Sequence, residues 1–243
     1  MTQIAVEPRT EAGETARAAG RFDIYAGVHK GLRRFMSDTL VAVGGIDVND
    51  AEELAQTVAQ VRGLLEFCLE HLHVENQFLH PAMEARRPGS ACASAKGHDD
   101  HLQAIERLEW DARAVEGSPP DVRAAAALRL YRRLALFVAE NLEHMHVEET
   151  ENNAVLWATH TDEELVEIQH AIVASITPGM MAAFLRWAVP AMTPVERAGL
   201  FTGMQAGAPR EVFERMLATA RPHLSERAWT KLMAALGPVP VFA

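Results

Sequence analysis

Apolar residues in this chain recur at every third and fourth position, in runs that end at glycine or proline. No segment alternates with period two for long enough to make a strand. That spacing admits amphipathic helices and little else. The first run covers about residues 24–43 and ends at Gly44-Gly45, a natural helix stop. Asn49 or Asp50 can cap the second, which passes through Leu54, Val58, Val61, Leu65, Cys68 and Leu72 and is expected to stop between Pro81 and Pro88-Gly89. A third run covers about 94–115 and stops at Gly117. Ser118-Pro119-Pro120-Asp121 restarts the chain, and a fourth run reaches Trp157.

Four amphipathic helices with short connections predict an all-α, up-down-up-down four-helix bundle over residues 22–160. Residues 1–21, rich in Ala, Glu, Thr and Gly, are expected to be a flexible tail. Residues 161–243 break into shorter helices and are expected to form a C-terminal helical extension. Thr161 to Glu164 and Thr193 to Glu196 have capping-box spacing, Thr177-Pro178 starts another helix, and Pro209 and Ser225 start two more. Met180, Met181, Phe184, Leu185 and Trp187 make an apolar helix for that extension, suited to packing on the bundle or to a homodimer contact.

Eight of the eleven histidines are His29, His71, His73, His80, His98, His101, His144 and His146. In an antiparallel bundle, odd and even helices run in opposite senses. His29 lies near the start of the first helix and His71 near the end of the second. His98 and His101 lie near the start of the third, and His144 towards the end of the fourth. All therefore converge on one end.

The second and fourth groups carry one pattern twice, His71-Leu72-His73-Val74-Glu75 and His144-Met145-His146-Val147-Glu148. Residues four apart share a helix face, so His71 pairs with Glu75 and His144 with Glu148. His73 and His146 are turned about 200° away and are expected outside the cluster. Leu64, Cys68, His71 and Glu75 form one inward stripe, and Phe137, Asn141, His144 and Glu148 another. On the third helix, His98 and His101 can both face inward with Leu102, Ile105 and Leu108. His29 to His71 is 42 residues and His101 to His144 is 43, which favours His101, with His98 as a second ligand or a supporting residue. His80, His160, His170 and His223 are read as surface or satisfied core residues, and Cys68 as a small core residue.

Four inward imidazoles and two inward carboxylates would be a costly polar core unless a metal holds them. Imidazole suits Fe, Zn, Cu or Ni, and carboxylate adds a preference for harder ions. Glu75 and Glu148 can bridge two ions. Two divalent ions bring +4 against −2, which calls for a bridging oxo or hydroxo group.

Composition narrows the remaining classes. The 23 Lys and Arg against 33 Asp and Glu give a net charge of −10, which argues against nucleic acid as the main partner. The Arg33-Arg34, Arg86-Arg87 and Arg132-Arg133 pairs read as solvated helix faces. Two cysteines make no disulfide framework. With neither a signal-peptide run nor an apolar stretch of spanning length, a cytoplasmic protein without a membrane partner is expected.

Over about residues 22–157 these motifs resemble the hemerythrin-like family, the HHE cation-binding domain. Its signature is a His on helix one, His-x-x-x-Glu on helix two, a His on helix three and His-x-x-x-Glu on helix four. The matching positions are His29; His71 and Glu75; His98 or His101; and His144 and Glu148. Phe78-Leu79-His80-Pro81 is similar to the apolar-Pro ending that follows the helix-two motif. The resemblance implies two non-haem Fe ions bridged by carboxylates and an oxo or hydroxo group, with Zn, Mn and Ni as alternatives. It also implies a small diatomic or peroxide partner and roles in O2 binding, sensing, or iron, redox and nitrosative handling. The O2-carrying invertebrate hemerythrins use His-x-x-x-His on helix three and His-x-x-x-x-Asp on helix four. Here the spacings are three, and Glu at four, so reversible O2 carriage is not implied. A di-iron oxidase or peroxide-consuming enzyme, and a structural zinc protein, are the competing expectations.

Overall fold

The structure, a computed structural model, describes residues 20–237. Among them every regular element is helical. Of the tail expected over 1–21, only Gly20 and Arg21 fall inside the described residues. Arg21 is tied down, donating to Asp162 Oδ1 and to the carbonyls of Trp157 and His160 at 2.7–2.9 Å.

The long helices are α1 (Ala26–Gly45), α2 (Ala51–Val74), α4 (Cys92–Gly117) and α5 (Pro120–Val147), with α3 (His80–Arg86) and α6 (Asn153–Thr159) continuing α2 and α5. Local chemistry sets their ends. Asp23 Oδ1 accepts from the Tyr25 and Ala26 N–H groups and opens α1. Asp50 Oδ1 accepts from Glu52 and Glu53 N–H and opens α2. α1 packs on α2, α2 on α4, α4 on α5 and α5 back on α1. Leu32, Met36, Val61, Leu64, Leu108, Leu134 and Phe137 fill the space between them.

The end expected between Pro81 and Pro88-Gly89 falls at Arg86, past the first proline. The helix runs on to Arg86 through a single π turn, Glu75–Leu79. The turn resets the hydrogen-bond register, so Pro81 falls in the first turn of α3, where a missing N–H forfeits no bond. A second π turn, Glu148–Asn152, joins α5 to α6. Each copy of the repeated motif therefore ends on the first residue of a π turn, a feature concentrated at functional sites.

The extension comprises α7 (Asp162–Ser175), α8 (Pro178–Ala191), α9 (Pro194–Gly207), α10 (Arg210–Ala220) and α11 (Glu226–Leu236). Both expected capping boxes form, at Thr161 and Thr193, and Thr177 and Ser225 cap α8 and α11. α8 docks on α1. Trp187 stacks on Phe35 with ring centroids 3.9 Å apart, and Lys30 pairs with Glu196. Gly31 permits the approach, because a Cβ there would lie 2.9 Å from Ala188 Cβ. Of the apolar residues expected on this helix, Leu185 and Trp187 are buried and Met180, Met181 and Phe184 half-buried. Among the described residues no single helix is long and apolar enough to cross a membrane.

A second apolar cluster, including Tyr25, Leu79, Met83, Leu156, Leu165 and Ile172, closes one end of the four-helix region. Along α1, His29 falls between Tyr25 of this cluster and Leu32 of the main core. Along α2, Glu75 falls between Leu72 and Leu79. The polar residues are thus sandwiched between two apolar layers.

Candidate metal centre

Helical phase places the motif residues as expected. Glu75 and Glu148 are buried at 1% and 0% exposure, His71 and His144 nearly so, and His73 and His146 are exposed. Within each motif the imidazole meets its own carboxylate. His71 Nε2 is 3.3 Å from Glu75 Oε1, and His144 Nε2 is 2.9 Å from Glu148 Oε1. His29 Nε2 lies 3.4 Å from Glu148 Oε2, and His98 Nε2 lies 3.2 Å from Glu75 Oε2 and 3.6 Å from Glu148 Oε1.

These atoms form two groups. His29, His71, Glu75 and Glu148 make one, and His98, His144, Glu75 and Glu148 the other. Within each, the ligand-type atoms lie within 4.8 Å of one another. An ion bound at about 2.0–2.2 Å holds its ligands within about 4.4 Å of each other. Both glutamates belong to both groups. The Nε2 atoms of all four histidines and all four carboxylate oxygens are buried without a hydrogen-bond partner. Buried polar atoms are nearly always satisfied, so eight orphans gathered in two groups are an arrangement able to hold cations.

Neighbouring side chains set the imidazoles. His29 Nδ1 bonds Glu149 Oε1 at 3.0 Å, and Arg33 grips both oxygens of that carboxylate at 2.5 and 2.8 Å. His98 Nδ1 bonds Asn76 Oδ1 at 2.9 Å. In both rings an acceptor on Nδ1 assigns the proton there and leaves Nε2 its lone pair for a metal. Gly97 makes room for His144, since a Cβ would stand 2.9 Å from its Nδ1.

The electrostatics match. Burial, then the charge of Glu148, push the Glu75 carboxyl well up. Burial alone would push Glu148 the same way, but contacts with His144 and His98 hold it well below the usual carboxylate range. Two adjacent buried carboxylates cannot both stay charged without cations. Burial, then the neighbouring His29 imidazole, lower His71 to about 3, the neutral state that a metal ligand requires. Burial opposes ionisation of Glu149 too, yet His29 and Arg33 hold it at about 2. Tyr25, 5.2 Å from His29 between ring centroids, is raised well above its usual value by burial and by Glu75 and Glu148.

Comparisons with protein-family models, curated proteins and solved structures find no match to this chain. The geometry alone therefore carries the reading.

His101, which the sequence separations favour, is buried but belongs to neither group. Its ring stands edge-on to His144 with centroids 4.7 Å apart, and His98 occupies the position among the ligands. Leu102, expected on the inner face, is exposed. It falls one residue past His101, about 100° round the helix, whereas Ile105 and Leu108 continue the buried stripe. His80 is neither a surface nor a satisfied core residue. It is buried, stacked on His98 at 4.8 Å, and its Nε2 has no hydrogen-bond partner. Asn76 and Gly97, and the pairing of Glu149 with His29, carry no signal in the motif spacing. Gly97 leaves one trace, as a lone glycine inside a helical pattern.

Proposed function

We propose that this chain is a hemerythrin-like protein. In this reading residues 22–160 form an up-down-up-down four-helix bundle. It holds two non-haem iron ions through His29, His71, Glu75, His98, His144 and Glu148. It binds or senses O2, NO or peroxide, or handles iron. The supporting observation is the pair of four-residue groups that share both carboxylates and leave eight buried ligand-type atoms unpartnered. The bundle topology is supported by the closed ring of helix contacts and by the meeting of early residues of α1 and α4 with late residues of α2 and α5. Iron is favoured over a softer ion because each group joins two imidazoles to two shared carboxylates. When bound, such a pair supplies redox chemistry and open positions for a small oxidant. The chain's own part is to orient the imidazoles through Glu149 and Asn76 and to keep water out with the two apolar layers.

Metal analysis of protein purified without added metal tests this, together with the absorption spectrum of the oxidised form. Two irons per chain and oxo-bridged bands are expected. Zinc alone would establish the structural reading, and no metal would overturn both. Stopped-flow mixing of the reduced protein with O2 and with NO tests the ligand, and a spectrum unmoved by either gas would overturn the sensing role. One observation favours a catalytic alternative, an oxidase or peroxide-consuming enzyme: a cavity reaches the site at His71 and Glu75. Peroxide turnover no faster than that of free iron would exclude the peroxide-consuming form.

A further inference from the structure

A cavity of about 290 Å³ lies between the four-helix region and the extension. Val28, Phe67 and Val74 wall it from α1 and α2, and Ile172, Met180 and Phe184 from α7 and α8. Of the six residues of the candidate metal centre, only His71 and Glu75 line it. These two residues make that end polar. The other polar lining residues are Asp23, Tyr25, Glu70 and Gln169, and no Lys or Arg is among them. Asp23 is already committed, its Oδ1 accepting from two backbone N–H groups and from Asn153 Nδ2.

Size and charge together select the occupant. An apolar cavity of about 150 Å³ holds benzene, so one nearly twice that size takes on the order of ten to twelve carbon atoms. A carboxylate or phosphate head would enter beside Asp23 and Glu70 with no Lys or Arg to meet it, and on the metal reading the two ions are already balanced by Glu75, Glu148 and a bridging oxo group. A neutral oxygen-bearing end has no such penalty. We propose that the cavity binds a neutral medium-chain molecule, an alcohol or aldehyde of about ten carbons, with its chain between α1, α2, α7 and α8 and its oxygen beside His71 and Glu75. The position of the oxygen rests on the metal reading above, whereas the binding of the chain does not.

The test uses the full chain as purified, with metal content measured on the same sample. Displacement of Nile red by 1-alcohols of increasing length reads the cavity. Each buried methylene multiplies affinity about fourfold, so 1-decanol should out-bind 1-hexanol by on the order of a hundredfold. Ile172→Trp and Met180→Trp fill the cavity from two different helices. Whichever folds should weaken decanol binding at least tenfold at unchanged metal content. Affinity that does not depend on length, or that survives the folded variants, overturns the proposal, and decanoate binding as tightly as decanol overturns the neutral end. Bound decanol should slow the release of metal to a chelator, and an unchanged rate overturns the placement of the oxygen. A metal-free protein that shows the length series would overturn the proposed function but not the cavity. A metal-bearing protein without the series would do the reverse.

Discussion

Replacing Gly97 by alanine sets two effects of opposite sign against each other. Gly97 lies inside α4, one residue before His98, and the added Cβ would stand 2.9 Å from His144 Nδ1 and 3.2 Å from its Cε1. The ring must retreat about 0.5 Å to reach ordinary contact, whereas a metal–nitrogen bond of about 2.0–2.1 Å tolerates about 0.2 Å. Metal affinity should therefore fall roughly 10–100-fold, about 1.4–2.7 kcal/mol. Glycine to alanine in a helix interior contributes about 0.8–1.0 kcal/mol, so the metal-free variant should melt about 2–4 °C higher than the metal-free parent. Competition against a chromophoric chelator gives the affinity, and thermal melts after chelation give the stability. Gly203→Ala, in α9 with nothing within 4 Å of the new Cβ, is the control that should raise stability alone. A Gly97→Ala protein that melts higher and holds metal as tightly as the parent would refute the role given to His144.

Three further outcomes follow from the same geometry. His71→Ala should sharply reduce bound metal while His73→Ala leaves it unchanged, as read by metal analysis; the opposite result would mean that the helical phase is wrong. In metal-free protein, burial and then the charges of neighbouring histidines lower His80 and His101 to about 4 from an ordinary 6.5. The unfolded chain then binds more protons than the folded one between those values, so this stability is complete above pH 6.5 and is lost as pH falls towards 4. Melting temperatures should drop through that window, and less so in His80→Gln; equal slopes would contradict the assignment. Trp187→Ala removes a 7%-exposed ring stacked on Phe35 and should cost about 3–5 kcal/mol in denaturant melts, whereas a loss below about 1 kcal/mol would show that α8 is not fastened to α1 by this contact.

Helix ends and inward faces were legible because both are local. Asp50, Thr161, Thr193 and Ser225 cap where their side chains predict. The 100° step separates His71 from His73 without any knowledge of the neighbouring helices. Depth along the helix axis is not local. His98 and His101 share a face, and only the axial offset between helices, with Asn76 reaching His98 from just past the first copy of the motif, brings one of them to the glutamates. The π turns were hidden for the same reason. Pro81 reads as the earliest stop in an α register, whereas the π turn over Glu75–Leu79 puts it in the first turn of α3. His80 then turns inward onto His98 instead of resting on the surface.

The doubled motif therefore does not make a symmetric centre. The two groups share their carboxylates and each adds two imidazoles, so their donors are alike, but their surroundings are not. His29 is backed by the carboxylate of Glu149 with Arg33 behind it, and His98 by the neutral amide of Asn76. A carboxylate partner strengthens imidazole as a donor more than an amide does. The cavity meets the His29 side, through His71, while His80 and His101 crowd the other. On the proposed reading, one ion sits in a stronger field at the mouth of an apolar cavity and its partner sits in a packed wall of histidine. That difference makes the first the natural point of arrival for a small ligand and the second the anchor that holds the pair in place.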